Sequence, residues 1–596
     1  MKNLSHSSRN AGLNNQPIYI LLIALVGFFL IIFRLLNLQI IQKDKFKRMS
    51  EENRIRLIAN PPIRGRILDI NNNVLANSRL AYSIFLKPDS LSDEQANQNI
   101  QSLAKLINYP LIELQNNYLN GKKKNDLQIL LVQDLAIDQV LKFKEREDEF
   151  NGLRLNIKQI RNYPYNTLAS HVLGYTQPIT SKEYSLLSKQ GYRINDSIGR
   201  SGVEAAYESY LRGKWGGEMI EVDASGSFQQ TIGYRAPKSG KDLKLTLDLR
   251  LQLAAEEALA DKKAGAIIAI DPRNGAIRAL ASKPNFDPNF FSKEFLPQKE
   301  YDYLFFSAGK PLMSRALNAY DPGSTWKVIT AIAGLESGLY PEDTILETKP
   351  CIQYGSHCFP EHNKLGFGFI GYEDALRVSS NTFFYQVGVG SGVDNIYKYA
   401  RMFGFGDLTG IEIGAEESKG FVANKKWAEK GRGWGEAGRT PWIPEDIASM
   451  SIGQAVIQVT PLQLARAYAA IANGGYLVTP HLAITNKSKF LEDSKQKLDI
   501  TDSSLNVIRQ GLLKVVQSGT GRAINFEING LPPTAGKTGT AEDSTGGKDH
   551  AWFACFTPFE DSQIVVIAFA QNTPGGGSVH ALPMARKILK EWLSIQ

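Results

Sequence analysis

The chain has 596 residues, 43% of them apolar and 21% charged, with 68 Lys and Arg against 60 Asp and Glu. That composition excludes a wholly disordered, collagen-like or many-span membrane protein. A net charge of +8 over this length, with no basic run interleaved with aromatics, gives no case for nucleic-acid binding. Three cysteines exclude a disulfide scaffold, and at roughly 150 residues per domain the length leaves room for two to four domains.

Ile18 to Phe33, IYILLIALVGFFLIIF, runs without a charge. As a helix this stretch spans about 24 Å, short of the ~30 Å hydrocarbon layer. Arg34 interrupts, and LLNLQII carries the apolar run to Ile41. With Arg34 snorkelling to the interface, residues 18–41 form a transmembrane anchor behind a cytoplasmic tail, 1–17. No small-residue cleavage site follows, which argues against a removable signal peptide. Lys2 and Arg9 precede the span, whereas Lys43, Lys45, Lys47 and Arg48 follow it. The positive-inside rule alone would keep the C-terminal side in the cytoplasm, but long domains translocate largely regardless of charge.

Residues 42–240 read as an extended, mixed region with no nucleophile constellation. RGRILDI and AYSIFL suggest strands; QNIQSLAKLI and AIDQVLKFKERE have helical spacing. Gly226, Gly233 and the Pro237–Gly240 turn mark a boundary, after which 241–596 forms a second domain. It opens with a short strand running into a helix, DLKLTLDLRLQLAAEEALADKK. AGAIIAI and AIRALAS, joined by DPRNG, then give a hairpin signal. Three more strand-like runs lie near Lys537–Ala541, Trp552–Phe556 and Ile564–Ala570, and a helix near Ala581–Ile595. Helical patterns such as VTPLQLARAYAAIANGG fill the interval between the two strand groups. Strands at both ends with helices between predict one antiparallel sheet packed by a helical insert, an α+β arrangement.

The segment Asp321-Pro322-Gly323-Ser324-Thr325-Trp326-Lys327 leads from a turn into an apolar helix that begins at or beside Ser324. Residues three apart on a helix share a face, so Ser324 meets Lys327. A serine hydroxyl needs a base beside it, and a lysine serves once burial or nearby positive charge lowers its pKa. The helix N-terminus favours the alkoxide developing on Ser324. By itself S-x-x-K says little: Ser102–Lys105, Ser307–Lys310 and Ser494–Lys497 repeat it in polar or helix-surface contexts. Ser379-Ser380-Asn381 would on its own be a helix cap, and Lys537-Thr538-Gly539-Thr540 an edge strand with a solvated lysine. The order of the three motifs within one domain carries the weight, as S-x-x-K, S-x-N and K-T-G together mark penicillin-binding proteins and class A β-lactamases.

On those motifs the sequence resembles a class B penicillin-binding protein, most closely the elongation type. Further stretches support the resemblance: Arg64-Gly65-Arg66-Ile67-Leu68-Asp69, Arg161-Asn162-Tyr163-Pro164 with His171-Val172-Leu173-Gly174-Tyr175, Gly199-Arg200-Ser201-Gly202-Val203-Glu204, Ser451-Ile452-Gly453-Gln454 and Asp549-His550-Ala551-Trp552-Phe553. It departs from the family pattern at Glu542, where many relatives carry Gln, and at Gly366-Phe367-Gly368, where many carry Gly-His-Gly. The second departure argues against a metal there. The resemblance implies an α+β fold with a single transmembrane helix, a non-catalytic pedestal or dimerisation-type domain (42–240) and a transpeptidase domain (241–596). In that domain an antiparallel sheet carries helices on both faces, with a helical subdomain. It implies a peptidoglycan D,D-transpeptidase acting on the D-alanyl-D-alanine end of stem peptides, a β-lactam target that uses no cofactor. A single-pass protein of the bacterial cytoplasmic (inner) membrane is implied, with its catalytic domain on the periplasmic side. Expected partners are a RodA-type polytopic glycosyltransferase and the elongation scaffold. A division-type enzyme and a D,D-carboxypeptidase or β-lactamase-like hydrolase are the alternatives.

In this reading Ser324 is the nucleophile and Lys327 its base. Ser379 lies on the proton path, and Asn381 holds Lys327 and the peptide amide. Lys537 and Thr538 bind the terminal carboxylate, Gly539 admits close approach of the substrate, and the N–H groups of Ser324 and Thr540 form the oxyanion hole. Cys351 and Cys358, in CIQYGSHC, are candidates for a disulfide if the domain lies outside the cytoplasm. A zinc site with His357 and His362, or two free thiols, would be the other outcomes. Cys555 lies in a predicted strand and reads as an inert core residue.

Overall fold

The computed structural model describes residues 16–43, 55–88, 91–124, 126–194, 196–223, 228–293, 296–429, 442–485, 495–525, 530–542 and 549–596. Lys2, Arg9, Lys45, Lys47, Arg48, Gly226 and Ser494 of the sequence reading lie outside them. Gln16–Leu36 is helical and continues through a wider helical turn, Asn37–Ile41. Arg34 lies within this continuous helix, as expected of the 18–41 anchor. Leu21–Ile41 is long and apolar enough to cross a membrane.

The chain folds as two compact units, 1–62 with 214–238, and 63–213 with 239–596. In the first, three antiparallel strands run in the order Ile55–Asn60, Gly216–Val222, Phe228–Arg235. The first of them meets a partner about 160 residues along the chain, a pairing that no local pattern announces.

In the second unit the long strand Val74–Leu86 pairs along its length with Leu153–Asn162, from Asn77 opposite Asn162 to Leu86 opposite Leu153. Ile129–Val132 flanks its other edge, and Asp93–Ile107 and Ile137–Glu145 pack in the same apolar cluster through Ile100, Leu103 and Phe143. Ser92 and Gln95 cap the helix Asp93–Ile107 reciprocally. Leu243–Lys244, just beyond residue 240, pairs in parallel with Ile67–Leu68.

Three of the sequence motifs meet in one buried ion cluster. Glu204 is fully buried and accepts from Arg161 Nε at 2.6 Å and Arg64 Nε at 2.7 Å. Arg64 also reaches Glu208 at 2.7 Å, and Arg161 donates to the Gly65 carbonyl at 2.8 Å. Nearby, His171 is buried against Phe286, with Nε2 at 2.8 Å from the Pro311 carbonyl. Burial pushes its pKa down to about 4, partly opposed by that hydrogen bond. A histidine kept neutral in the fold contributes stability that is complete above its unfolded pKa near 6.5 and is lost as pH falls towards 4. The gap corresponds to about 3 kcal/mol. Denaturant melts between pH 7 and 4 are expected to show this loss, and His171→Gln to reduce it; equal pH slopes for the two proteins would refute the assignment.

The second unit also holds a five-stranded sheet. Its strands are β1 (Gly265–Ile270), β2 (Ile277–Lys283), β3 (Ala535–Ala541), β4 (His550–Thr557) and β5 (Ile564–Ala570), all antiparallel, in the order β2-β1-β5-β4-β3. Period-two alternation sends Ile267, Phe553, Val566 and Ala568 to one face, against helices Leu249–Ala258 and Ala581–Ile595. Ile268, Trp552, Ile567 and Phe569 face the other side, with helices Lys327–Glu336 and Pro461–Ala472. Both faces are covered, which is why GAIIAI and IVVIAFA are apolar at nearly every position. The predicted α+β fold with helices on both faces is the observed one. The helical insert between β2 and β3 brings its motifs to the β3 edge.

Candidate active site

Ser324 lies in a tight turn, Gly323–Trp326, that feeds directly into helix α1, Lys327–Glu336. The α-helix thus starts three residues later than Ser324. With about three residues per turn, positions i and i+3 eclipse, so Ser324 and Lys327 still share a face. Trp326 is fully buried and anchors the turn, and Trp552 Nε1 donates to the Asp321 carbonyl at 3.0 Å. Gly323 has φ +52°, and a Cβ there would lie 2.3 Å from the Thr540 carbonyl oxygen. Only glycine lets the nucleophile's turn approach β3 this closely.

Gly539 is also required by packing. A Cβ on it would meet Thr325 Cγ2 at 2.9 Å, the Pro322 carbonyl at 3.1 Å and Trp552 Cβ at 3.1 Å. Its missing side chain makes room for the Ser324 turn, although Gly539 also lines the cleft.

Ser379 closes the helix Tyr372–Val378 in the left-handed conformation, φ 61° and ψ 39°. Ser380 caps the next helix, α2 (Asn381–Met402), accepting from the Phe383 N–H at 3.2 Å. The cap suggested by the local sequence therefore belongs to Ser380, which frees Ser379 to face the lysines. Such a φ is costly for a non-glycine residue and persists where the surroundings over-determine it.

Both motif lysines are fully buried. Lys327 Nζ donates to the Ser379 carbonyl and to Asn381 Oδ1, each at 2.7 Å, and lies 3.4 Å from Ser379 Oγ. Lys537 Nζ, on β3, donates to the same Ser379 Oγ at 2.8 Å and to the Thr538 carbonyl at 3.0 Å. The Ser379 hydroxyl bridges the two amines. Burial drives the Lys327 pKa down to about 7, partly opposed by Glu361. Burial, reinforced by the charge of Lys327, drives Lys537 well below its usual value. Lys537 is thus on an edge strand, as read from the sequence, but it is not solvated.

A cleft of about 260 Å³ is lined by Ser324, Ser379, Asn381, Thr538, Gly539 and Thr540. Ser324, Ser379 and Thr538, widely separated in the chain, meet there, and Lys537 joins them through its hydrogen bond to Ser379. The sequence reading missed His362, Thr520 and Ser578 on the same wall. Thr520 Oγ1 lies 2.7 Å from Thr538 Oγ1. Ile452 and Gln454 also line the cleft, and the Ser451–Gln454 stretch was the signal for them. Glu361, buried behind Ser380–Thr382, carried no sequence signal.

Cys351–Tyr354 and His357–Pro360 form a two-stranded antiparallel hairpin. Cys351 and Cys358 are paired in it as a disulfide, with Cα atoms 5.6 Å apart. His357 Nδ1 lies 3.1 Å from Ser356 Oγ, and His362 Nδ1 lies 2.9 Å from Glu361. Cys555 is buried in β4, and burial pushes its thiol pKa up. Under denaturing, non-reducing conditions one thiol per chain is expected to react, rising to three after reduction. Reduction is expected to cost about 2 kcal/mol, the chain-entropy value for so short a loop. Three reactive thiols before reduction would contradict the bridge.

A serine in a tight turn beside a cleft, with two buried lysine amines meeting on the Ser379 hydroxyl behind it, is an arrangement suited to serine acyl transfer. The profile of the penicillin binding protein transpeptidase domain matches residues 265–590, and that of the penicillin-binding protein dimerisation domain residues 59–245. Peptidoglycan D,D-transpeptidase MrdA of Acinetobacter baumannii is 34% identical over 580 residues, covering 93% of this chain and 84% of that protein. A structure of penicillin-binding protein PBP2 in complex with MreC from Helicobacter pylori is similar, with TM-score 0.78 and 28% identity, covering 91% of this chain and 99% of that one. A structure of a peptidoglycan synthase complex, described as coordinating polymerization and crosslinking, is similar over 98% of this chain and 99% of its own, with TM-score 0.73 and 30% identity. The chain belongs to the penicillin-binding protein transpeptidase family, and within it to the class B, PBP2 type.

Proposed function

We propose that this chain is the D,D-transpeptidase that cross-links peptidoglycan stem peptides during cell-wall elongation, with Ser324 as the acylated residue. The observation that carries this reading is that Ser324 and Ser379 line one cleft while the buried amines of Lys327 and Lys537 both reach the Ser379 hydroxyl from behind it. A neutral Lys327 spends its two N–H donors on the Ser379 carbonyl and Asn381 Oδ1. Its lone pair is left to take the Ser324 proton. Ser324 Oγ then bonds to the carbonyl carbon between the two D-alanines, and the N–H groups of Ser324 and Thr540 hold the oxyanion. The peptide C–N bond breaks, the leaving amine receives the proton through Lys327 and Ser379, and D-alanine departs. An amine of a second stem peptide attacks the ester, the Ser324–acyl bond breaks as the new amide forms, and the proton the amine loses passes through Lys327 to Ser324. Lys537 and Thr538 hold the terminal carboxylate, which by its charge favours the cationic form of Lys537. Binding therefore takes up a proton in this scheme.

In the same reading residues 42–240 dock and residues 241–596 catalyse. The A. baumannii relative's name gives the activity, and the two similar structures, with MreC and as a synthase complex, support a scaffold protein and a glycan polymerase as partners. In this reading the catalytic domain lies on the periplasmic face, where such a substrate is found, with Gln16–Ile41 as the anchor. The test uses the full chain in detergent. Fluorescent penicillin is expected to form a stable covalent adduct, and a stem pentapeptide with an acceptor amine to yield free D-alanine and the cross-linked product. No adduct refutes the reading, and rapid β-lactam turnover favours a hydrolase.

A further inference from the structure

Glu361 is 1% exposed, yet it is a carboxylate. It follows the disulfide-closed hairpin, and its own N–H is tied to the Pro350 carbonyl at 2.8 Å. One carboxylate oxygen accepts from the Asn381 N–H at 2.7 Å and the His362 N–H at 3.0 Å, with His362 Nδ1 at 2.9 Å. The other accepts from the Ser380 hydroxyl, the Thr382 N–H at 3.1 Å and the Thr382 hydroxyl at 2.8 Å. Every one of the three residues after Ser379 is thus held by the same side chain. Two of the donors are first-turn N–H groups of α2, which lack partners inside the helix.

This clamp acts on the reacting groups at one remove. Asn381 gives its N–H to Glu361 and its side-chain oxygen to Lys327. Ser379, left-handed and next in the chain, bridges Lys327 and Lys537. Whenever Lys327 carries its proton, as it does between proton transfers, that buried cation needs a counter-charge.

We propose that Glu361 is a positioning residue for the transpeptidase reaction, fixing the Ser379–Asn381 turn against Lys327 and supplying the negative charge that faces Lys327 when it is protonated. The proposal rests on the function argued above. The titratable groups facing Lys327 are Lys537 from β3 and Glu361. Those facing Glu361 are His362 and, from α2, Tyr385, which also feels Glu542. Burial alone would raise the Glu361 pKa, but hydrogen bonds from His362, Ser380 and the Asn381 N–H outweigh it and hold the carboxyl well below the usual range. It is therefore an anion wherever Lys327 titrates.

The experiment is the pH dependence of fluorescent-penicillin acylation by the full-length protein in detergent. The wild-type rate is expected to rise to a plateau with a midpoint near the Lys327 value of about 7. E361Q keeps the shape and removes the charge. Its plateau is expected to fall at least about tenfold, and its midpoint to move about one pH unit lower, the scale of losing a nearby opposite charge. T382V loosens the clamp and keeps the charge, so its plateau falls severalfold at an unmoved midpoint. E361D is expected to restore the midpoint. A wild-type profile in E361Q, or a lower plateau with an unmoved midpoint, overturns the proposal. Where E361Q does not fold, a wild-type plateau in T382V, or a displaced midpoint in E361D, overturns it. Absence of any labelling in the wild type would instead defeat the functional reading.

Discussion

Ser324→Ala is expected to abolish covalent labelling by penicillin, lowering acylation on the order of 10⁶-fold, the scale on which loss of a serine nucleophile acts in serine hydrolases. The substitution removes one half-buried oxygen from a turn whose position depends on Trp326, Gly323 and the Trp552–Asp321 hydrogen bond. The melting temperature is therefore expected to stay at the wild-type value. Lys327→Ala loses the base and leaves Ser379 and Asn381 without their shared partner, so it too is expected to suppress acylation, with a small cost in stability. In the wild type the acid limb follows the neutral fraction of Lys327, so the rate climbs through about pH 7. Labelling that persists in Ser324→Ala, measured by mass spectrometry of the adduct peptide, would place the nucleophile elsewhere. Ser102, in the middle of the pedestal helix Asp93–Ile107, is the control position.

The nucleophile and its base were legible because S-x-x-K in a turn entering an apolar helix is a local pattern, and local patterns survive in one dimension. The sheet was legible for the same reason: β1, β2 and β5 are short apolar runs bounded by turn residues. Glu361 was not, because it acts through backbone N–H groups that any residue supplies, about twenty positions along the chain. The burial of Lys537 was hidden for a related reason. β3 is an edge strand in its own sheet, and the insert that covers that edge is contributed by residues far away, such as Ser379. Gly539 was recognised as a residue that must be small, but the packing of the Ser324 turn against it, through Thr325 and Pro322, was not. In the pedestal the motifs were visible one by one, while the pairing of Arg64, Arg161 and Glu204 that makes them one cluster was not.

That cluster yields the second large effect. Glu204→Ala is expected to destabilise the folded protein by about 3–5 kcal/mol, because the guanidinium of Arg161, only 2% exposed, would be left buried without its carboxylate. Arg64 keeps Glu208 as a partner, so the loss falls chiefly on Arg161. Burial alone would raise the Glu204 pKa, but Arg161 and Arg64 outweigh it and hold it below the usual carboxylate range. A carboxyl depressed in the fold contributes stability that is complete above its unfolded pKa and is lost as pH falls through the folded value. Wild-type protein is therefore expected to lose this contribution only in acid below about pH 4, and the variant to lack it at every pH. Glu204 touches none of the cleft residues. Penicillin acylation by the folded fraction of the variant, at a temperature well below its transition, is expected to stay within about threefold of wild type. The ordinary scatter of distant, uncoupled substitutions sets that margin. A variant that melts like the wild type yet acylates slowly would mean that the pedestal cluster acts on the chemistry at Ser324, and that the division of labour between residues 42–240 and 241–596 is wrong.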